Sequence, residues 1–252
     1  MSDLITNSDG WDFLRKYTKA RIAIGRAGNS IPTAELLKFQ LAHAKARDAV
    51  YSEINVEHLK HQLKLLKLTT IEVKSCAASR EIYLKNPNLG RSLDEDSVSK
   101  LKTDTSYDLC IVIADGLSSE AVNRHAIPLI DLLITKLQNQ WTLAPVVIAE
   151  QARVALGDEI GEMIKAEILI ILIGERPGLS SPDSMGAYIT YKPARGLTDE
   201  RRNCISNIRP EGLLYEAAAD KIFYLINEMK VKKISGVDLK DEQDPNLKIT
   251  NL

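Results

Sequence analysis

The chain is expected to be an α/β protein: a Rossmann-like, doubly wound and mostly parallel sheet preceded by a helical region. Three observations carry that expectation. The runs LCIVIA, VVIA and ILIILI are apolar without alternation, as strands covered on both faces are. Stretches of helical periodicity separate them, and helical crossovers make neighbouring strands parallel. The first third of the chain, by contrast, reads mainly as helix.

Taken in order, Trp11, Leu14 and Tyr17 fall at helical spacing. A second helix is expected from Thr33, an N-cap type two residues before Glu35, through LLKFQLAHAKARDAV in an amphipathic register. A third, rich in Leu and Lys, is expected from Val56 to Leu68, and TTIEVKS then alternates as a strand does. Between Tyr83 and Ser106 Pro, Gly, Asp and Ser accumulate, leaving room for one short helix near Asp94 to Lys102. This change in composition places a boundary near Ser106, with a mainly helical region over 1–105 and the sheet domain over 106–252. In that second part LCIVIA is followed by a helix from Ser119 to Asn139, then VVIA, a helix around Gly157 to Lys165, and ILIILI. A strand near Ala187 to Tyr191 and a helix from Leu213 to Val231 complete the layer, and the tail DEQDPNLKITNL is expected to be mobile.

A length of 252 residues suits one large domain or a domain with a helical attachment. With 44% hydrophobic and 27% charged residues the chain has the balance of a globular protein, which excludes a disordered or fibrous one. The 33 basic residues nearly cancel the 34 acidic ones, for a net charge of -1. No global field therefore draws the chain to nucleic acid or an anionic membrane. The segment MSDLITNSDGWDF has no signal-peptide pattern, and no window nears the roughly 18 apolar residues of a membrane span, so an intracellular location is expected. The three cysteines, Cys76, Cys110 and Cys204, form no CxxC pair, which argues against a disulfide framework and a thiolate zinc site. Cys110 reads as core, Cys76 and Cys204 as ordinary free thiols.

Ligand sites in parallel sheets form where strands end, because the loops leaving the carboxyl edge converge. Those loops here are Glu150-Gln151-Ala152-Arg153 and Gly174-Glu175-Arg176-Pro177-Gly178. Asp115-Gly116-Leu117-Ser118 after LCIVIA reads equally as an anion-binding loop ahead of a helix or as a plain turn. Neither GxGxxG nor GxxxxGK[ST] stands between a strand and a helix, so NAD and ATP are not supported. GRAGNSIPT is a helix cap before it is a phosphate loop. Of the four histidines, His43, His58, His61 and His125, only His58 and His61 share a helical face, without an HExxH pattern, and a solvated surface is the favoured reading. The GxSxG elbow of Ser hydrolases is also absent. What remains is a gathering of Arg153, Glu175, Arg176, Arg201, Arg202, Asn203 and Cys204 on or near loops of one edge, which points to a polar ligand ahead of a structural role.

Seven segments, IAIGRAGNSIPT, FQLAHAKARDAV, IVIADGLSS, VIAEQARVALGDEIGE, LIGERPGLSSPDSMG, LTDERRNCISNIRPEGL and ISGVDLKD, together resemble the small (light) subunit of ethanolamine ammonia-lyase, from about Arg21 to Asp241. The resemblance implies a subunit of an adenosylcobalamin-dependent lyase that turns ethanolamine into acetaldehyde and ammonia by a radical route. A large TIM-barrel subunit would hold the substrate and carry the chemistry, and this chain would complete the cobalamin site without catalytic or metal-binding residues of its own. The contacts it implies are Val154, Glu175 and Cys204, with Arg153 and Arg202 as candidates for the nucleotide-loop phosphate. No Asp precedes a His by two residues, so the DxHxxG signature is missing. The cofactor is accordingly expected base-on, with no histidine of this chain on cobalt. Cytoplasmic residence within a bacterial microcompartment is implied as well. The alternative reading is a stand-alone Rossmann-like module for another phosphorylated ligand.

Overall fold

The structure is a computed structural model that describes residues 6–7, 10–137 and 140–242. Asn139 and the tail beyond residue 242 lie outside the described residues. The mixed α/β architecture is present. Six strands form one sheet in the order β3 (Thr70–Lys74), β5 (Val146–Glu150), β4 (Tyr107–Ala114), β6 (Ala166–Gly174), β7 (Met185–Tyr191) and β8 (Arg202–Ile208). The first four run parallel, β7 is antiparallel to β6, and β8 is antiparallel to β7. Two short strands, β1 (Thr6–Asn7) and β2 (Arg26–Ala27), pair apart from it.

Unbroken apolar runs make the central strands because both faces of the sheet are covered. Leu109, Ile111 and Ile113 of β4 point into one core, with α2 (Val56–Leu65), α5 (Ser119–Leu137) and α7 (Tyr215–Lys232). Cys110, Val112 and Ala114 point into the other, beneath α4 (Glu95–Leu101) and α6 (Val154–Met163). Period-2 geometry therefore sends alternate residues of one apolar strand to two separate cores.

Thr33 does not cap α1 (Thr33–Tyr51) as expected: it is the first helical residue, Pro32 stands at the N-cap position, and no side chain caps the helix, whereas three other helices start at side-chain caps. Asn55 accepts the His58 N–H at the start of α2, Ser79 accepts that of Ile82 at the start of α3 (Arg80–Lys85), and Asp94 accepts that of Ser97 at the start of α4. Three elements differ from expectation. Trp11, Leu14 and Tyr17 mark a short 3-10 helix, Asp12–Lys16, which buries none of its residues and so has no packing to extend it. In α1 (Thr33–Tyr51) only Ala46 and Ala49 are buried, while Leu36, Leu37, Phe39 and Leu41 are exposed, because these apolar residues do not share one face. Arg202, Asn203 and Cys204 lie in a strand, β8, instead of a loop. The compositional change at Ser106 falls between β3 and β4, which belong to the same sheet.

Arg202 anchors this edge strand. Its guanidinium is fully buried against the equally buried Asp158 of α6, and it also bonds Asp199 at 2.6 Å and the Leu197 carbonyl oxygen at 3.0 Å. Burial pushes the Asp158 carboxyl upward while Arg202 opposes the shift. The pair ties β8 to α6, and thus fixes the distance between Cys204 and the first turn of α6. Removing one member of a buried pair strands the other charge at a cost of roughly 3–5 kcal/mol. Arg202→Met is therefore expected to lower the unfolding free energy by about that amount in urea titrations of the full chain. A change below about 1 kcal/mol would show that the charge is not desolvated.

Candidate functional site: a cleft at the carboxyl edge

The crossover after β4 runs through α5 on one face, and that after β5 through α6 on the other. The loops leaving β4 and β5 therefore diverge and open a crevice, the position where α/β sheets bind ligands. A cleft of about 300 Å³ occupies it, lined by Tyr83, Leu117, Arg153, Val154, Glu175 and Tyr188 among others.

Its floor depends on two glycines. Leu117 donates its N–H to the Gly174 carbonyl oxygen at 2.9 Å, which brings the loop after β4 against the end of β6. Gly116 has φ +55°, and a Cβ there would strike the Gly174 carbonyl, while a Cβ on Gly174 would strike the Ser118 carbonyl. Only residues without a side chain allow this approach.

One wall is clasped by Asp115. Its buried carboxylate accepts the N–H groups of Gln151 and Ala152 at 2.8 and 2.9 Å and faces Arg80 at 3.5 Å. Burial raises its pKa to about 6, against the opposing effects of the Ala152 N–H, Arg80 and the Gln151 N–H. Tyr83 donates its hydroxyl to the Ala152 carbonyl oxygen at 2.9 Å, and the guanidinium carbons of Arg80 and Arg153 lie 5.0 and 4.4 Å from the centroid of its ring.

The opposite wall presents Glu175. Its carboxylate accepts from the Ser184 hydroxyl, from the Ser206 hydroxyl at 2.5 Å and from the Asn207 N–H at 3.2 Å. Cys204 pairs across the strands with Tyr188. Although Cys204 as a residue is exposed, burial of its thiol pushes the pKa upward and the Glu175 charge adds to this. Burial likewise raises the Tyr188 hydroxyl. Neither group is an ionised nucleophile or base at neutral pH.

Of the residues named from the sequence, Val154 and Glu175 line one cleft, and Cys204 stands beside its Tyr188 wall. Arg153 and Arg176 line it too, whereas Arg202 is consumed by Asp158 and Asp199 and does not reach it. Arg80, Tyr83 and Tyr188 were not foreseen. Arg80 and Tyr83 share a face of α3 at i, i+3 directly after the Ser79 cap, and that spacing was the available signal. None of the four histidines is among the lining residues; His125 is buried elsewhere, with Nδ1 2.7 Å from the Tyr215 hydroxyl.

The family model for the ethanolamine ammonia-lyase light chain (EutC) matches residues 8–240. The ethanolamine ammonia-lyase small subunit of Azotobacter vinelandii is 51% identical over 240 residues, covering 93% of this chain and 89% of that protein. The proteins of the same name from Xanthomonas campestris pv. campestris and Pseudomonas aeruginosa are 49% and 50% identical, covering 94% and 93% of this chain and 89% and 88% of their own lengths.

Two outcomes follow from this geometry. Gly174→Ala forces the loop after β4 away from β6, with an expected loss of roughly 1–3 kcal/mol in thermal or urea unfolding and little change in far-ultraviolet circular dichroism. Asp115 has a folded pKa of about 6, above the ordinary carboxyl value. Its contribution to stability is therefore full below pH about 4 and is lost as pH rises through about 6. The stability of the wild type relative to Asp115→Asn should fall by about 2 kcal/mol between pH 4 and pH 7. A difference that stays flat across that window would contradict the raised pKa.

Proposed function

The chain belongs to the ethanolamine ammonia-lyase light-chain family, and from that premise we propose that it is the small subunit of a hetero-oligomeric lyase acting on ethanolamine. In this reading a large subunit holds the substrate, and the cleft at the carboxyl edge supplies part of a site for adenosylcobalamin. The cofactor, when bound, supplies the radical chemistry that yields acetaldehyde and ammonia. Residence in the cytoplasm, within a microcompartment, belongs to the same proposal. Among the described residues no helix is long and apolar enough to cross a membrane.

The observation that carries the reading is the gathering of Val154 and Glu175 in one cleft, with Cys204 beside it, around groups suited to binding and not to proton abstraction. A carboxylate offers about four acceptor positions, and Glu175 has three donors of its own chain. One position is left for an N–H of a corrin amide. The Val154 side chain offers apolar contact at the start of α6, and the protonated Cys204 thiol offers a soft, uncharged one. None of the four histidines is among the lining residues, and none is proposed to contact the cofactor in this cleft.

Reconstitution tests this directly. The isolated chain should have no lyase activity, and co-expression with the large subunit plus adenosylcobalamin should restore it. In that complex Glu175→Ala is expected to weaken adenosylcobalamin binding about ten-fold or more, the scale of a hydrogen bond to a charged group. Tight nucleotide binding by the isolated chain would favour the stand-alone module instead, whereas unchanged cofactor affinity in the variant would make this chain a purely structural partner.

A further inference from the structure

Residues 10–51 form a segment that the body does not cover. Among the described residues none before Ile54 belongs to either apolar core. Ten of the seventeen large apolar side chains that stand exposed among the described residues fall between Trp11 and Tyr51, in about a sixth of the chain. Tyr17 is 82% exposed, and Leu37 and Leu41 are each 58% exposed. Single exposed apolar residues are ordinary, whereas a concentration of them marks a surface that another molecule covers. Where this segment faces the body, a cavity of about 450 Å³ lies between them, lined by Lys19, Lys45 and Asp48 on one side and Arg124, Asp183 and Arg209 on the other. The segment is therefore not sealed onto the body by apolar packing there.

The form of α1 and its charge select what covers it. Its buried residues, Ala46 and Ala49, lie in the last two turns, so the first three turns bury nothing. At about 3.6 residues per turn, Leu36, Leu37, Phe39 and Leu41 spread over more than half of the helix circumference. A helix that is apolar on several sides is enclosed by its surroundings, as a groove encloses it and a flat face does not. Residues 10–51 also hold eight Lys and Arg against three Asp and Glu, in a chain of net charge -1. Lys16, Lys19, Arg26, Lys45 and Arg47 are exposed, without a carboxylate partner among the described residues. At its other end α1 is tied to the cleft: Arg80 donates to the Val50 carbonyl oxygen at 2.7 Å and to the Gly116 carbonyl oxygen at 2.8 Å. Leu41 and Leu37 lie roughly 14 to 20 Å along the helix from that contact, at about 1.5 Å per residue.

We propose that α1, with the segment before it, is an arm that inserts into an apolar, acid-rimmed groove of the large subunit. The inference rests on the hetero-oligomer reading above: a partner that completes the site at the cleft stands within reach of α1, because Arg80 joins the two. The surplus of basic residues selects the acidic rim. It also argues against a second copy of this chain as the occupant, since a two-fold pairing sets the same charges against each other.

The test co-expresses the full chain with the large subunit and follows dissociation of the complex by sedimentation velocity over a dilution series, beside hydrogen–deuterium exchange of the free chain and the complex. Leu37→Asp combined with Leu41→Asp should weaken assembly about a hundred-fold or more, while the free variant unfolds at the wild-type temperature because both side chains are exposed. Lys45→Glu combined with Arg47→Glu should also weaken assembly, by a factor that shrinks as salt is added. In the wild type, the amides of residues 36–45 should exchange rapidly in the free chain and become protected in the complex. Assembly of the leucine variant within about two-fold of the wild type, or unchanged exchange over α1, overturns the arm while leaving the hetero-oligomer reading in place. A wild-type chain that does not bind the large subunit overturns that reading and the arm together. Self-association of the isolated chain that the leucine variant abolishes assigns the face to a second copy and overturns the proposal. Should the leucine variant fail to fold, exchange on the wild type decides alone, and absence of protection over α1 overturns the proposal.

Discussion

Buried at the end of β4, the Asp115 carboxylate accepts two N–H groups from the loop after β5 and faces the guanidinium of Arg80 from α3, so one charge holds three segments distant in sequence. Gln151, the first residue past β5, has φ +54°, a conformation that costs free energy for a residue with a side chain. The hydrogen bond from its N–H to Asp115 helps to offset that cost. With the loop so fixed, Ala152 receives the Tyr83 hydroxyl, and Arg153 donates its N–H to the Gly90 carbonyl at 2.8 Å. The direction in which α6 starts, and hence the position of Val154, follows from this clasp.

The opposite wall is held by a second polar network that is continuous through the protein. Ser184 and Asn207 meet Glu175, Arg209 donates to the Asn207 side chain at 3.0 Å, and its guanidinium lies 3.6 Å from Asp183. His125 lies 3.6 Å from Asp183 and is held by Tyr215. Burial holds the His125 pKa below its ordinary value despite the Asp183 charge, so the ring is neutral at pH 7 and the network has no switch there. Its effect is orientation: Glu175 is fixed by neighbours that are themselves fixed, and a site group aimed in advance loses little entropy on binding. The two walls are built from different segments of the chain, yet they meet at Gly116 and Gly174.

Much of the sheet could be read in the amino acids because its central strands are buried on both faces. LCIVIA, VVIA and ILIILI have no polar face to confuse their assignment, and Asp94 announces α4 by its cap. The strand-end rule then put Arg153 and Glu175 near one edge, and the family resemblance added Val154. β8 escaped because RNCISNI is polar, half exposed at the edge of the sheet, and held by a buried Arg202–Asp158 pair that no local pattern encodes. Arg80 and Tyr83 escaped for a related reason. Their role depends on contacts 35 and 69 residues away, at Asp115 and Ala152, and periodicity is blind to such distances. The helical spacing of Trp11, Leu14 and Tyr17 misled because propensity without a packed face makes only a short turn.

The surplus charge at Arg153 bears on how the cleft is used. A half-buried guanidinium without a carboxylate, and with one N–H cut off from water, destabilises the chain relative to one carrying an apolar residue there. The Tyr83 ring offsets part of that cost through its quadrupole, since estimates for a cation over an aromatic face run from about 0.5 to about 2 kcal/mol as solvent is excluded. It does not supply an acceptor for Nε. A ligand that does so removes the penalty only in the bound state, and the free energy withheld from folding then adds to affinity. Compensation of Arg153 by a carboxylate of this chain, as Asp115 compensates Arg80, would stabilise the free protein and weaken the site by the same interaction. The contrast between these two arginines on one aromatic ring is therefore in keeping with the ligand-binding role proposed for the cleft.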